Sequence, residues 1–400
     1  MDSNKRYENF IVFLAPLINS VGGIAIDLYA PSIPSIGREL AASPALMQNT
    51  ITLTLICYAI GQLFFGMLAD ARGRRPAVLL GLTLFLAGSV MAAMSGSIAL
   101  LLVARALQGF AIGACQVVAR AVLVDTVKGP RFAVAIIYLS LAFGLGPVLA
   151  PYVGGAIEVH LGWRYNFVLY AVYGLVVLAF VLAGLKESLA PAQRRSPLQT
   201  LAGYGAILGD ARFRSSVTLL GASFSAFLLW NVIGPYIVQD RLGHSAQYFG
   251  TTALGVGACY LTSTLLNRFL IRVVTSDTLM WAGTLMFVAG AGVIASSGDE
   301  LNLSRVLAGI MLIAFAQGFI FSNAMARSMS LFPDRAGVAA SLQGCLMLAF
   351  GSAASALASV LPLHTNLAIG GVFGVLFLVS LTGMVSLRRT RLADSPGFGT

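Results

Sequence analysis

Two ionisable side chains lie where the sequence offers them almost no water. Asp27 sits inside the apolar run from Phe10 to Ala30, and Arg105 sits seven residues into another run that starts near Ile98. A charge at the centre of a membrane helix costs about 2.5–3.5 kcal/mol on insertion scales. A carboxylate there must take up a proton or find a cation, so Asp27 is a candidate proton carrier. At 1.5 Å per residue, Arg105 lies roughly 10 Å below the membrane surface, at a depth similar to Asp27 on an antiparallel helix. Snorkelling of Arg105 to the headgroups is the competing expectation.

The helix that carries Arg105 is marked by spacing. Arg105, Gln108, Ile112, Gln116 and Arg120 recur at three- and four-residue steps, which puts them on one mostly polar face. Such a face in a membrane helix belongs against protein or a water-filled cavity. A weaker stripe, Gln317, Ile320, Ala324 and Arg327 with Asn323 beside it, occurs far downstream. Arg120 and Arg327 are expected to reach the inner headgroups. Tyr29, Tyr58, Gln62, Tyr138, Phe143, Phe227, Trp230, Asn231 and Tyr236 add aromatic and amide groups within apolar runs. A cavity lined by these side chains would suit a partly apolar ligand; lipid contact or plain packing is the alternative for each aromatic taken alone.

One short charged loop, Gly66-Met67-Leu68-Ala69-Asp70-Ala71-Arg72-Gly73-Arg74-Arg75-Pro76, separates two apolar runs. Its charges need the membrane–water boundary. Asp70 fits either an ion pair with a neighbouring arginine or a contact at a helix N-terminus of the other half. In the fifth apolar run, Gly144, Gly146, Gly154 and Gly155 allow close helix approach, and Pro147 and Pro151 bend the helix.

Composition explains what must position these groups. Of 400 residues, 58% are apolar and 10% are charged, far below the ~25% charged of a soluble chain. The net charge of +10 does not form a nucleic-acid patch, because the basic residues sit in short loops between apolar runs. Cys57, Cys115, Cys259 and Cys345 are scattered singly, with no metal-site spacing and no disulfide framework. No cofactor or metal motif is found: there is neither H-E-x-x-H nor a phosphate loop ending in Gly-Lys-Ser/Thr. An enzyme is not expected. The first apolar run shows no cleavable leader and is read as the first span.

Twelve runs are long enough to cross a ~30 Å hydrocarbon core. They cover 10–31, 46–68, 76–95, 98–122, 132–156 and 166–185, then 215–238, 247–268, 278–296, 303–328, 336–360 and 366–387. The expected organisation is an N-terminal six-helix bundle at 1–185, a cytoplasmic linker at 186–214, and a C-terminal six-helix bundle with a short tail at 215–400. With both termini cytoplasmic, 19 of the 25 Lys/Arg fall inside, including Arg194 and Arg195 in the linker, and only Arg38, Arg164, Arg241 and Arg305 fall outside. The positive-inside rule selects that orientation. A faint repeat supports six plus six: Arg120 and then Asp125 close the fourth span, and Arg327 and then Asp334 close the tenth. Two halves related by an axis along the membrane normal would hold a substrate site between them.

At this point a family resemblance appears. The loop from Gly66 resembles the signature G-x-L-a-D-r-x-G-r-k between the second and third helices of the major facilitator superfamily. Gly66, Leu68, Asp70, Gly73, Arg74 and Arg75 match, and Ala71 replaces the usual basic residue. The run Leu101 to Gly109 looks like that family's R-x-x-q-G motif, and Gly146-Pro147 through Pro151 to Gly154-Gly155 like the G-P-x-x-x-P-x-x-G-G element of its antiporters. Ala25 to Pro34, followed by Gly162-Trp163-Arg164-Tyr165-Asn166-Phe167, is similar to the drug:proton antiporter branch of Bcr/CflA (bicyclomycin-resistance) type.

The resemblance implies an all-α membrane protein with the major facilitator fold, in a bacterial inner membrane. It implies proton-coupled export of small amphipathic molecules such as drugs by alternating access, and hence antibiotic resistance. Asp27 and Arg105 would carry coupling, and the Asp70 loop would close the inner gate. Expected partners are membrane lipid, a small-molecule substrate and protons, with no nucleic acid and with the chain acting as a monomer. Sodium coupling, export of a metabolite or siderophore, and proton-coupled import remain open on the same scaffold.

Overall fold

A computed structural model describes residues 3–191, 196–332 and 335–394; the side chains of 3, 4, 130, 133, 137, 140, 143, 197–200, 336 and 391–394 lie outside the description. Arg194, Arg195 and Asp334 lie outside the described residues. Helix is the only regular structure among the described residues. In chain order the helices are α1 (Ser3–Asp27), α2 (Ile33–Glu39), α3 (Pro44–Arg72), α4 (Arg74–Ala93), α5 (Ile98–Thr126), α6 (Pro130–His160) and α7 (Arg164–Gly184). They continue with α8 (Pro197–Gly209), α9 (Ala211–Pro235), α10 (Ala246–Leu270), α11 (Ser276–Ala295), α12 (Leu303–Ser330), α13 (Ala336–Val360) and α14 (Asn366–Asp394).

Eleven stretches among the described residues are long and apolar enough to cross a membrane. They correspond to eleven of the twelve expected spans. The twelfth, 132–156, is the body of α6, a 31-residue helix in which several side chains lie outside the description. Helix starts follow local chemistry. The hydroxyls of Ser43, Ser97 and Thr275 and the amide oxygen of Asn302 each accept a backbone N–H of the first turn, supplying acceptors for N–H groups that have none within the helix.

Two details differ from the sequence expectation. The first span does not run unbroken to residue 31. α1 ends at Asp27, a tight turn follows at Ala30–Ser32, and α2 carries on to Glu39. Pro31 has no N–H to give the Asp27 carbonyl, so the α-helical ladder stops there. The segment expected as a plain linker, 186–214, holds the 13-residue helix α8.

Contacts divide the chain into two compact units. The first is Met1–Thr200 with Asn231–Leu254, and the second is Leu201–Trp230 with Gly255–Thr400. In the first unit α5 is central. Gly113 of α5 lies against the backbone of Gly61 and Gln62 on α3, and Gly61 lies against Phe110 of α5. No side chain fits at such a crossing, and the backbones can approach for that reason. On the other flank, Gly81 and Gly88 of α4 face Ala111 O and Ala104 O of α5. In the second unit Gly283 and Gly290 of α11 face Ala316 O and Gly309 O of α12 in the same way. The two α-helical stretches read Gly-Leu-Thr-Leu-Phe-Leu-Ala-Gly and Gly-Thr-Leu-Met-Phe-Val-Ala-Gly, with Phe85 and Phe287 both buried.

Candidate functional site

Asp27 is the last residue of α1, and α1 packs against α5, α6 and α7. Its carboxylate is 5% exposed, and Oδ1 accepts a hydrogen bond from Asn231 Nδ2 at 2.6 Å. Asn231 belongs to the segment that the contacts assign to the first unit. The rest of that segment adds further polar contacts to the same end of the unit. Gln239 Nε2 donates to Pro31 O at 2.8 Å, and Arg38 Nη1 pairs with Asp240 Oδ1 at 2.7 Å. The Tyr236 hydroxyl donates to Pro44 O at 3.4 Å.

Arg105 lies nearby with different partners. It is fully buried on α5, so it does not snorkel out of the protein. Nη1 donates to Ala25 O at 3.1 Å and to Gln108 Oε1 at 2.8 Å. The guanidinium carbon lies over the Tyr29 ring, 4.7 Å from its centroid, within cation–π range. Nε and Nη2 have no hydrogen-bond partner among the described residues. Each flanking group is held in turn. Gln108 Nε2 donates to Ser89 Oγ on α4 at 2.8 Å, the Tyr29 hydroxyl meets Thr50 Oγ1 on α3 at 2.7 Å, and the Tyr170 hydroxyl on α7 also donates to Ala25 O at 3.1 Å. The result is a buried polar layer across α1, α3, α4, α5 and α7 in which the arginine position is fixed.

Below this layer on the same α5 face, Ile112 packs over Gly22 beside Tyr58, and Gln116 accepts from Gln62 Nε2. Both glutamines, Tyr58 and Ile112 are buried. Tyr138, expected in a cavity, is 50% exposed on α6. It lines a cavity of about 410 Å³ with Asn9, Phe13, Pro16, Ser20 and Leu141. Phe143 is on α6, and its side chain lies outside the described residues.

The remaining cavity candidates belong to the second unit. Phe227 packs 6.3 Å from the Tyr260 ring, and Trp230 is buried. Asn323 Nδ2 donates to Asn267 Oδ1 at 2.7 Å, and Gln317 Oε1 is buried without a hydrogen-bond partner among the described residues. Asn231 and Tyr236 are counted with the first unit instead.

The charged loop forms a compact network at the junction of α3 and α4. Gly66 is buried one turn before Asp70. Gly73 turns the chain with φ of 114°, a conformation that favours glycine. Arg74 Nη1 pairs with Asp70 Oδ1 at 2.5 Å, and its Nε pairs with Asp125 Oδ2 at 3.2 Å. Asp70 therefore makes the ion pair with a neighbouring arginine. The N-terminus of α4 is taken by Glu187, whose two oxygens accept the N–H groups of Arg74 at 2.8 Å and Arg75 at 3.1 Å. Ser188 Oγ donates to Asp125 Oδ2 at 2.9 Å, and Arg75 Nη2 reaches Leu182 O at 3.4 Å. Glu187 and Ser188 were missed from the sequence because nothing local marks them. Their signal was an acid placed directly after the sixth span, free to reach a helix N-terminus more than a hundred residues away. Arg327, expected at headgroups, pairs with Asp277 Oδ1 at 2.5 Å.

The proline-glycine element lies along α6. A Cβ on Gly146 would stand 2.8 Å from the Gly23 carbonyl carbon, and one on Gly154 would collide with Leu28 O beside Asp27. Gly155 abuts Ala246 O, and Gly250 abuts Pro151 O. Pro147 and Pro151 lie inside α6 without ending it.

The family model for the Major Facilitator Superfamily matches residues 16–356. The chain belongs to the Major Facilitator Superfamily. It is a multi-pass membrane transporter. Among curated relatives it is 31% identical to "Multidrug resistance protein MdtL" of Escherichia coli O81 (strain ED1a), over 86% of this chain and 87% of that protein. It is 28% identical to an MFS-type transporter, YdgK, of Bacillus subtilis (strain 168), over 93% of this chain and 95% of that protein. Among solved structures, the fold is similar to that of a D-xylose-proton symporter, with a TM-score of 0.76 at 17% identity over 95% of this chain and 97% of that one. The partially occluded inward-open xylose transporter XylE of E. coli follows with a TM-score of 0.72 at 14% identity, covering 99% of both chains. These last two likenesses concern the fold alone.

Proposed function

We propose that this transporter is a proton-coupled exporter of small amphipathic molecules, drugs among them, of Bcr/CflA type. It works by alternating access in a bacterial inner membrane, with both termini cytoplasmic. The observation that carries this reading is Asp27, a buried carboxylate whose hydrogen-bond partner is a neutral amide. An acid in that position can exchange a proton when the protein changes state and exposes it. The 19-to-4 asymmetry of basic residues supports the orientation. Similarity to proteins named for multidrug resistance supports the substrate class. In this reading Arg105 fixes the polar layer beside Asp27, and the Asp70–Arg74–Asp125 network holds the inner gate. The cavity side chains make a partly apolar surface for the ligand.

The reading is tested in inverted membrane vesicles that hold a proton gradient. Adding a panel of amphipathic dyes should collapse part of the gradient in wild type and leave it intact in Asp27→Asn. A collapse of equal size in Asp27→Asn, at equal protein level, removes Asp27 as the carrier. A sodium gradient that replaces the proton gradient with equal uptake would overturn proton coupling.

A further inference from the structure

We propose that Asn231 is the positioning residue that ties the protonation of Asp27 to the docking of the Asn231–Leu254 segment on the first unit. The inference rests on the reading of Asp27 as the proton carrier. Its ground is the geometry of one contact and its neighbours. Asn231 is 2% exposed, and its amide is the hydrogen-bond partner of a carboxylate that is 5% exposed. Directly along the chain, the same segment bonds to Pro31 O through Gln239 and pairs with Arg38 through Asp240. Burial disfavours the charged carboxylate, and a single amide donor offsets only part of that cost. Asn231 is a neutral donor, and the docked segment covers the site. The neutral acid is therefore the form compatible with docking, and the charged form favours release, which lets water reach the carboxylate.

Other titratable groups lie at this end of the unit. Arg105 on α5 and Tyr170 on α7 are both bound to Ala25 O, and Tyr29 is bound to Thr50. Glu158 lies on α6, one turn beyond Gly154. The segment itself carries Asp240, paired with Arg38, His244, stacked on Tyr248 at 4.3 Å, Tyr236, whose hydroxyl donates to Pro44 O, and Arg241, and at the end of α2 Glu39 pairs with Arg164. None of these bonds to Asn231, so removing the Asp27 charge separates their effects from its own.

The test is amide hydrogen–deuterium exchange of residues 236–245 in the full-length protein in lipid nanodiscs, across a pH series corrected for intrinsic exchange. Protection in wild type should fall as pH rises through the titration of Asp27, by up to about tenfold per pH unit for one linked proton. Asp27→Asn should stay protected at every pH, because its amide is neutral. Asn231→Leu should be poorly protected and flat with pH; should it fail to insert, Asn231→Thr carries the same expectation. Protection independent of pH in wild type overturns the inference. So does a pH dependence that survives in Asp27→Asn, which would belong to His244 or Glu158, or one that survives in Asn231→Leu. Transport separates the two layers: proton-driven export retained in Asp27→Asn removes the carrier reading, whereas export lost in Asp27→Asn together with docking that is independent of pH in wild type removes only the role of Asn231.

Discussion

The α4–α5 pair of the first unit and the α11–α12 pair of the second are built on one packing plan with opposite chemistry. Gly81 and Gly88 meet Ala111 and Ala104, as Gly283 and Gly290 meet Ala316 and Gly309. By this register Arg105 of α5 holds the position in its unit that Ile310 of α12 holds in the second, and Gln108 that of Ile313. Gln108 Cγ touches Gly88 as Ile313 Cγ1 touches Gly290. Where the first unit buries a guanidinium and an amide, the second buries two isoleucines. The glycine ridges determine how the helices pack, and the residues between them determine whether the interface is polar. At the ends of the same pairs the ion pairs run in opposite sense: Arg74 of α4 meets Asp125 of α5, while Asp277 of α11 meets Arg327 of α12. The comparison teaches that the buried charge is not required by the helix packing, so its retention in one unit points to use.

The sharpest way to break this comparison is to give the first unit the chemistry of the second. Arg105→Ile should abolish export while the protein still inserts and elutes as a single species, because Ile310 shows that the site geometry accepts an aliphatic side chain. Full export in Arg105→Ile would mean that the difference between the units is neutral. Next comes Ile310→Ala, a loss of buried aliphatic volume. Thermal denaturation in detergent should report about 2–5 kcal/mol of destabilisation, with export per folded molecule near wild type. A loss of export larger than the loss of folded protein would give the second unit a direct role at that position.

A smaller effect is expected at the ends of the pairs. Asp277→Arg and Arg327→Asp should each lower stability by about 1 kcal/mol, since the pair is part-buried and screened. The double exchange should restore it and give the second unit the polarity of the first. Failure of the double exchange to recover would show that the pair is fixed by its other surroundings. Last is Glu187→Gln, which keeps shape but removes the negative charge at the start of α4. A loss of about 1 kcal/mol is expected, read as a lower melting temperature that high salt brings closer to wild type.

Much of the fold was legible because long apolar runs are expected to be membrane helices, and charged loops separate many of them. The break after Asp27 was also legible in principle, since Pro31 cannot bond to its carbonyl. The stretch from Gly81 to Gly88 and its partner from Gly283 to Gly290 carry the repeat more plainly than the Arg120 and Arg327 helix ends do. They were overlooked because small residues in an apolar run look featureless until a partner is placed on them. The ionisable residues of the site were legible because charge is rare in such a chain. Their partners were not. Asn231 and Glu187 lie 204 and 113 residues from the groups they bind, and no local periodicity reports a contact at that range.

The central claim is that the charge chemistry of the first unit is what couples a proton to substrate movement, and that Asp27 carries the proton. Substrate-triggered proton release from purified protein in weakly buffered solution tests it most directly, with a pH indicator as the readout. Wild type and Ile310→Ala should release protons when an amphipathic substrate is added, and Asp27→Asn should bind the same substrate and release none. Release from Asp27→Asn at the wild-type level would contradict the account.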